Sequence, residues 1–290
     1  MTMRAVIPAG GFGTRMLPAT KSMPKEMLPV LDKPAIQYVV EEAVASGIRD
    51  IAIVTGRTKR AIEDHFDAAP ELEHFLEQKG NRDALAGLRA TNGLGNLIYV
   101  RQDWPRGLGH AVLAAAPVVE GAPFAVLLGD DIIVNPEPVT AQLRAAFERL
   151  GGSVIAVQRV APEEASKYGV VAGEHEGDGL WRVTDIVEKP APGEAPSDLA
   201  VIGRYVFTPE IVAHLRATEA GAGGEVQLTD AIRSLAQEQA VYALEFQGRR
   251  FDVGSLMGWL EANVAMGLAD ARHAGMTAQL LRRELGPHEK

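Results

Sequence analysis

Short apolar runs alternate along the chain with longer stretches in which apolar residues recur every three or four positions. Arg4–Ala9, Asp50–Thr55, Leu97–Arg101, Phe124–Leu128 and Ser153–Gln158 are brief and mostly rich in β-branched residues. They are almost continuously apolar, the pattern of strands buried on both faces. Helical patterns lie between them: Pro34–Ser46, with proline in its first turn and Gly47 just past its end, then Thr58–Phe66, Pro70–Leu88, Gly109–Ala116 and Val139–Leu150. This alternation predicts an α/β fold with a mostly parallel sheet and right-handed crossovers. After about residue 160 the pattern changes. Val170–Ala172, Leu180–Glu188 and Ala200–Phe207 read as strands with little helix between them, punctuated by glycines and prolines, and predict an antiparallel or mixed extension. Val241–Phe246 is a further short strand, and Pro209–Arg216, Leu228–Glu238 and Ser255–Ala269 are helical. Thr277–Lys290 is charged towards its end and is expected to be a frayed or oligomer-docking tail.

A chain of 290 residues with 47% hydrophobic positions can bury a sizeable core, and suits one α/β domain with additions. The net charge of −9 argues against a nucleic-acid groove. It does not exclude small anionic ligands, because a few clustered cations can invert the field within one cleft. With no cysteine there is neither a disulfide framework nor a thiolate metal site, which suits a cytoplasmic protein. The N-terminus lacks the apolar stretch of a signal peptide, and no run reaches the roughly 18 apolar residues of a membrane span, so a soluble protein is expected.

The first strand runs straight into Gly10-Gly11-Phe12-Gly13-Thr14-Arg15. Glycines there let backbone N–H groups approach an anion. Two known glycine motifs fail. The dinucleotide fingerprint needs a helix at its third glycine, but Met16 stands there and Pro18, Pro24 and Pro29 forbid a regular helix. The second strand ends in Thr55-Gly56, without the expected carboxylate, so a nicotinamide oxidoreductase is disfavoured. The P-loop motif needs glycine before Lys-Ser, but Thr20 precedes Lys21-Ser22. What remains is a proline-stiffened loop carrying Arg15, Lys21 and Lys25, cations suited to a polyphosphate.

Two carboxylate positions are candidates for a metal. Phe124–Leu128 ends in Gly129-Asp130-Asp131, and a carboxylate just past a parallel strand points into the usual ligand crevice. Mg²⁺ takes one or two carboxylates together with phosphate oxygens and water, and either aspartate could supply one. Asp252, in Phe251-Asp252-Val253-Gly254, lies between a short strand and a helix. Zinc and nucleophile chemistry find less support, since the seven histidines form no HExxH pair and no G-x-S-x-G elbow occurs. His110 reads as structural rather than as a general base.

Residues 8–31, PAGGFGTRMLPATKSMPKEMLPVL, resemble the signature of bacterial UTP–glucose-1-phosphate uridylyltransferases, within the wider sugar-nucleotide pyrophosphorylases. The similarity continues through Asp32-Lys33-Pro34, Gly107–Ala111, Glu188-Lys189-Pro190, Gly203-Arg204-Tyr205 and Gln227–Ile232. It implies a Rossmann-like three-layer α/β/α nucleotidyltransferase fold with a mixed, mostly parallel sheet and a sugar-binding β extension. The expected domain spans 1–272, with the nucleotide part at about 1–160, the sugar part at about 161–272 and a tail at 273–290.

The resemblance also implies site residues. Asp130, directly after the glycine that closes the strand, and Asp252 would hold Mg²⁺; Asp131 stays a rival. Arg15 and Lys25 would act on the triphosphate of UTP, and Lys189 on the phosphate of glucose 1-phosphate. Ala9, Gly10, Gly11, Gly13, Thr14, Glu26, Gln102 and Gly109 would surround the nucleotide. Gln102 is followed by Asp103 where relatives have glycine. Gly129, Tyr168, Gly169, Glu188 and Gly203 would form the sugar pocket; a buried structural Tyr168 and a strand bulge at Gly203 are the alternatives. Thr229 or Asp230 could cap the helix of the Gly223–Ile232 run or charge its first turn, while Leu228, Ala231, Ile232 and Leu235 face this subunit's core. The expected products are UDP-glucose and pyrophosphate. Thymidylyl transfer to glucose 1-phosphate and an inactive nucleotide-sugar-binding regulator are the competing functions. Leu256, Met257, Trp259, Leu260 and Val264 give the last predicted helix more apolar surface than one core-facing stripe needs, so a homodimer or homotetramer with this helix near the contact is expected.

Overall fold

The computed structural model describes residues 3–119, 121–221 and 224–286. In chain order β1 (Arg4–Pro8) leads through a loop of 3-10 turns to β2 (Pro29–Val30), β3 (Lys33–Pro34) and α1 (Ala35–Ala45). There follow β4 (Asp50–Thr55), α2 (Arg60–Phe66), α3 (Pro70–Lys79), α4 (Arg82–Asn92) and β5 (Asn96–Arg101). Next come α5 (Leu108–Ala114), α6 (Ala116–Val119), β6 (Phe124–Leu127), β7 (Asp131–Val134), α7 (Val139–Leu150) and β8 (Ser153–Arg159). The second half carries β9 (Gly169–Gly177), β10 (Leu180–Glu188), β11 (Leu199–Phe207), α8 (Ile211–Ala217), α9 (Leu228–Glu238) and β12 (Val241–Glu245). It closes with β13 (Arg249–Asp252), α10 (Leu256–Ala269) and α11 (Ala274–Leu285).

Nine strands form one mixed sheet in the order β5-β4-β1-β6-β11-β8-β12-β10-β9. The pairs β5–β4, β4–β1, β1–β6 and β8–β12 are parallel, and β11 runs antiparallel between β6 and β8. Because β11 comes from the second half and sits among first-half strands, the expected nucleotide and sugar parts share one sheet. Alternate residues feed opposite faces. Ala5 and Ile7 pack with Ile36, Val39, Ile62 and Leu143 from α1, α2 and α7, while Val6 packs with Val112, Ile211 and Ile232 from α5, α8 and α9. That is the expected three-layer arrangement. No described helix is long and apolar enough to cross a membrane.

Four local expectations need correction. Pro70–Leu88 is not one helix: Gly80 turns into the left-handed region (φ 66°) and Asn81 caps α4, accepting from Ala84 N at 3.2 Å. Thr277–Lys290 is not frayed as far as it is described, since α11 runs to Leu285 and packs on α10; residues 287–290 lie outside the described residues. β7 and β13 pair as an antiparallel ribbon that the sequence reading missed, with Asp252 opposite Asp131. Neither Thr229 nor Asp230 caps α9, since Gln227 stands at the cap position, but Asp230 does place a negative charge in its first turn, as expected; Gly223 of that run lies outside the described residues. Leu228, Ala231, Ile232 and Leu235 are buried in this subunit's core, as expected.

A fully buried ion pair ties the layers together under the strand ends. Arg204 on β11 is 0% exposed, and its Nε and Nη2 donate to the Glu42 carboxylate of α1 at 3.0 and 2.7 Å. Nη2 also donates to Asp131 O at 2.7 Å, and Nη1 to Gly203 O at 2.8 Å. Glu42 is completed by Thr140 of α7, through its N–H at 3.1 Å and its Oγ1 at 2.6 Å. Arg204→Met would leave the Glu42 charge buried without its partner. We expect this to destabilise the fold by about 3–5 kcal/mol, measured by denaturant unfolding, with Glu42→Gln in the same chain recovering part of the loss. A cost below about 1 kcal/mol would mean the pair does not hold the layers.

Candidate active site

The C-terminal ends of β1, β4, β5 and β6 open on one crevice. Ala9 N–H donates to Val54 O at 2.8 Å and Gln102 N–H to Thr55 O at 2.9 Å, which joins the chain segments leaving β1, β4 and β5. The glycine loop then passes over the crevice. Gly10 leaves room for the Gln102 side chain, since a Cβ there would lie 2.5 Å from Gln102 Oε1. Gly13 adopts a left-handed φ of 67° and its carbonyl accepts from Thr20 Oγ1 at 2.8 Å, closing the loop on itself. The prolines prevent a regular helix, and three short 3-10 turns follow instead.

Two contiguous cavities of about 510 and 630 Å³ fill the crevice. The first is bounded by Gly10, Gly11, Gly13, Thr14, Arg15, Lys25, Glu26, Gln102, Tyr168, Gly203, Asp130 and Asp252. The second carries Gly169, Glu188 and Lys189, and meets the first at Thr14, Arg15, Lys167 and Tyr168. Three expected site residues do not reach either cavity. Ala9 is buried, with its N–H spent on Val54 O. Gly109 donates to Val226 O at 2.9 Å and packs too closely on that backbone to admit a side chain. Gly129 lies below, where a Cβ would meet Glu26 Cγ at 3.2 Å.

Asp130 and Asp252 converge although they are distant in sequence. Asp252 is brought in by the β7–β13 ribbon, and Val253 N–H donates to Asp130 O at 3.1 Å. Gly254 leaves the space between them: a Cβ there would collide with Asp130 Oδ2 and stand 3.1 Å from Asp252 Oδ1. Among the described residues no three His, Cys, Asp or Glu side chains gather as a metal site. Two hard carboxylates beside a cavity fit a hard divalent cation that draws its other ligands from phosphate and water, and they do not fit zinc. Asp131 is no rival. Its carboxylate is buried, accepts Arg250 Nε at 2.7 Å and Nη2 at 3.2 Å, and accepts Gly203 N–H at 3.3 Å. Arg250 also donates to Tyr168 Oη at 3.3 Å, so Tyr168 is both a cavity wall and part of this clamp.

The cations are placed with equal definition. Lys25 is bonded to Asp130, and Arg15 Nη1 lies 3.5 Å from Asp252 Oδ2. Burial disfavours the Lys25 charge, but Asp130 and Glu26 outweigh it and hold its pKa above the ordinary lysine value. Burial likewise works against the Asp130 carboxylate, and Lys25 with Arg15 outweighs it, so Asp130 stays ionised below the usual carboxylate range. Glu26 is 1% exposed and paired with Lys59 Nζ at 2.9 Å; burial pushes its pKa up against the pull of Lys59 and Lys25. Glu26 is therefore a buried wall residue of the first cavity whose carboxylate is engaged by Lys59.

Gln102 Nε2 donates to His110 Nδ1 at 2.8 Å, which gives His110 a positioning role and leaves Gln102 Oε1 over Gly10. In the second cavity Thr229 Oγ1 donates to Glu188 Oε2 at 3.0 Å, and Gly169 leaves room for both side chains. Lys189, with a left-handed φ of 44°, donates its N–H to Tyr168 O at 2.9 Å and keeps its side chain exposed beside Glu188. Sequence reasoning missed Lys59, Lys167, Glu225, Thr229 as a partner of Glu188, and Arg250. Of these, Arg250 alone carried a signal, two residues before Asp252 and therefore on the same face of a strand.

Comparison with known proteins agrees with this geometry. A family profile described as Nucleotidyl transferase matches residues 4–267. UTP–glucose-1-phosphate uridylyltransferase 1 of Staphylococcus saprophyticus is 52% identical over 267 residues, 92% of this chain and 93% of that protein. A UDP-glucose pyrophosphorylase solved in complex with UDP-glucose is 42% identical, with a TM-score of 0.86 over 93% of this chain and 100% of its own. The UTP-bound UGPase from Acinetobacter baumannii is 40% identical, with a TM-score of 0.90 over 97% of this chain and 99% of its own. The chain belongs to the nucleotidyl transferase family, and within it groups with the UTP–glucose-1-phosphate uridylyltransferases.

Proposed function

We propose that the protein makes UDP-glucose and pyrophosphate from UTP and glucose 1-phosphate. The observation that carries this reading is the convergence of Asp130 and Asp252 on the gap left by Gly254, with Arg15 and Lys25 beside them. The similar proteins named above support the choice of UTP and glucose 1-phosphate. We assign the cation to Mg²⁺, and the reading is of a cytoplasmic enzyme, in keeping with a chain without cysteine.

The two cavities divide the substrates. UTP lies under the glycine loop, its phosphates facing Gly11, Arg15 and Lys25. Gln102 Oε1 offers an acceptor to the imide N–H of uracil, which cytosine lacks. Glucose 1-phosphate occupies the second cavity, with Glu188 accepting a sugar hydroxyl and Lys189 on the phosphate. A phosphate oxygen of the sugar phosphate attacks the α-phosphorus of UTP. The bond from that phosphorus to the bridging oxygen breaks, and pyrophosphate leaves with the electron pair. The nucleophile is already an anion, so no general base is needed, and the residues act by positioning and neutralising charge. Arg15 can grip two phosphate oxygens with its planar guanidinium as charge builds on the leaving group. Bound at Asp130 and Asp252, Mg²⁺ would lower the repulsion between the two anions.

Pyrophosphate release with glucose 1-phosphate and a panel of triphosphates tests the assignment directly. UTP is expected to be the best donor and CTP to be rejected; dTTP turning over faster than UTP would make the protein a thymidylyltransferase. Asp130→Asn, folded as the parent, is expected to lose on the order of 10²-fold or more in kcat. Near-parental turnover at saturating Mg²⁺ would remove Asp130 from the metal site.

Arg15→Lys keeps the charge and loses the fork, so kcat/KM for UTP is expected to fall with little change in Tm, because the Arg15 side chain is 63% exposed. An unchanged rate with a large drop in Tm would make Arg15 structural.

We also propose a homodimer or homotetramer. Leu256, Met257 and Leu260 of α10 stand exposed, with Leu256 next to Leu17 of the glycine-loop segment. Trp259 lines the same surface beside Leu17 and Leu256, with its Nε1 donating to Pro29 O at 2.8 Å. Light scattering at micromolar concentration should give a multiple of 31.0 kDa, reduced by Met257→Glu. A monomeric parent with full activity would remove the interface and leave the chemistry intact.

A further inference from the structure

The two carboxylates that the proposed function gives to the metal already carry cations in the free protein. Lys25 Nζ is bonded to Asp130 Oδ2, and Arg15 Nη1 stands 3.5 Å from Asp252 Oδ2. These are the same two cations that the proposed function gives to the triphosphate. The pairs are not equal. The Lys25 and Asp130 side chains are 19% and 15% exposed, so water and salt screen their attraction little. Arg15 is largely in solvent, and its pair is weak.

We infer that Lys25 is a stand-in for the metal: it neutralises Asp130 in the free enzyme and gives that carboxylate up only when metal and triphosphate arrive together. This rests on the assignment of Asp130 and Asp252 to the metal. Two carboxylates and two cations cancel in the free site. A divalent cation entering alone would strip Lys25 and Arg15 of their partners and face both of them. A triphosphate entering without metal would face Asp130 and Asp252, with Glu26 behind them. Entering as a complex, the metal takes the carboxylates and the phosphates take the cations, so every charge keeps a partner. The exchange needs only local movement. A Cβ at Gly13 would lie 3.1 Å from Lys25 Cβ, so the loop packs on the lysine stem, while the ammonium group lies at the wall of the first cavity. Glu26 cannot take over Lys25 fully, because Lys59 already holds it. The consequence is a site that discriminates against either component alone and favours the metal–nucleotide complex. Such coupling is reciprocal between the two ligands.

The test uses Mn²⁺ as the metal probe, with the full-length protein free of nucleotide. Mn²⁺ binding is followed by electron paramagnetic resonance in the parent, Lys25→Met and Lys25→Gln, each shown to be folded by circular dichroism. Removing the competing cation should tighten Mn²⁺ binding on the order of tenfold in both variants, and Asp130→Asn added to Lys25→Met should abolish the gain. In the reciprocal arm, UTP binding is measured calorimetrically in EDTA. Asp130→Asn should bind metal-free UTP more tightly than the parent, because Lys25 is released and a repelling charge is gone. Unchanged or weaker Mn²⁺ binding in both Lys25 variants, or no gain in UTP binding by Asp130→Asn, overturns the inference. The metal assignment is judged separately, from turnover. Full activity of Asp130→Asn would sink that assignment, whereas lost activity with no Mn²⁺ gain in the lysine variants would sink the exchange alone.

Discussion

The site depends on one buried arginine. Arg204 lies in a strand that is otherwise apolar and buried along its length, and its charge is tolerated there because Glu42 and three backbone carbonyls accept its five N–H groups. Those acceptors belong to α1, to Leu128 after β6, to Asp131 at the start of β7 and to β11 itself. The turn between β6 and β7 is therefore fastened to the helix layer and to the neighbouring strand at once. Asp131 is clamped in addition by Arg250 from β13. That second clamp fixes the short ribbon that carries Asp252 beside Asp130. A buried ion pair adds little net stability compared with a well-packed apolar pair, and its value here is specificity of arrangement. The carboxylate pair proposed for the metal is set in place by residues next to it, which leaves Asp130 and Asp252 their contacts with Lys25 and Arg15.

The same division of labour runs through the crevice. Groups proposed to touch substrate have at most one firm partner: Arg15 is exposed, Lys189 sits at a strand end, and Gln102 has a free acceptor above Gly10. Groups in the cavity wall are engaged with protein partners, as with Glu26 on Lys59 and Thr229 on Glu188. Glycines mark where the two sets approach, at Gly10 under the Gln102 amide, Gly169 against Glu188 and Gly254 between the aspartates. Each is a place where a single methyl group would occupy space that a side chain or ligand uses.

Much of the fold was legible in the sequence because strands buried on both faces need almost unbroken apolar runs, and the principal parallel strands have them. The glycine loop was legible as an anion site through its prolines and cations, while its kinship came from the longer signature. The β7–β13 ribbon was not legible: its four-residue strands include Arg249 and Arg250, and only the partner strand makes sense of them. The break between α3 and α4 was written in Gly80-Asn81, but apolar spacing continued across it. Asp130 and Asp131 could not be separated by chemistry alone, since both follow the same strand. What separates them is Arg250, more than a hundred residues away. Gly109 and Ala9 carried the right motif, and the fold sets them behind the cavity wall with their N–H groups bonded to Val226 and Val54.

The central claim is that Asp130 and Asp252, held in place by the buried frame, receive the metal together with the triphosphate. The most direct measurement is anomalous scattering from crystals grown with Mn²⁺ and UTP. A single strong peak is predicted beside Gly254, with oxygen contacts at about 2.0–2.3 Å to Asp130 and Asp252, and with Lys25 moved from Asp130 to a phosphate. A peak on Asp131, or one elsewhere with Lys25 still seated on Asp130, would contradict the account.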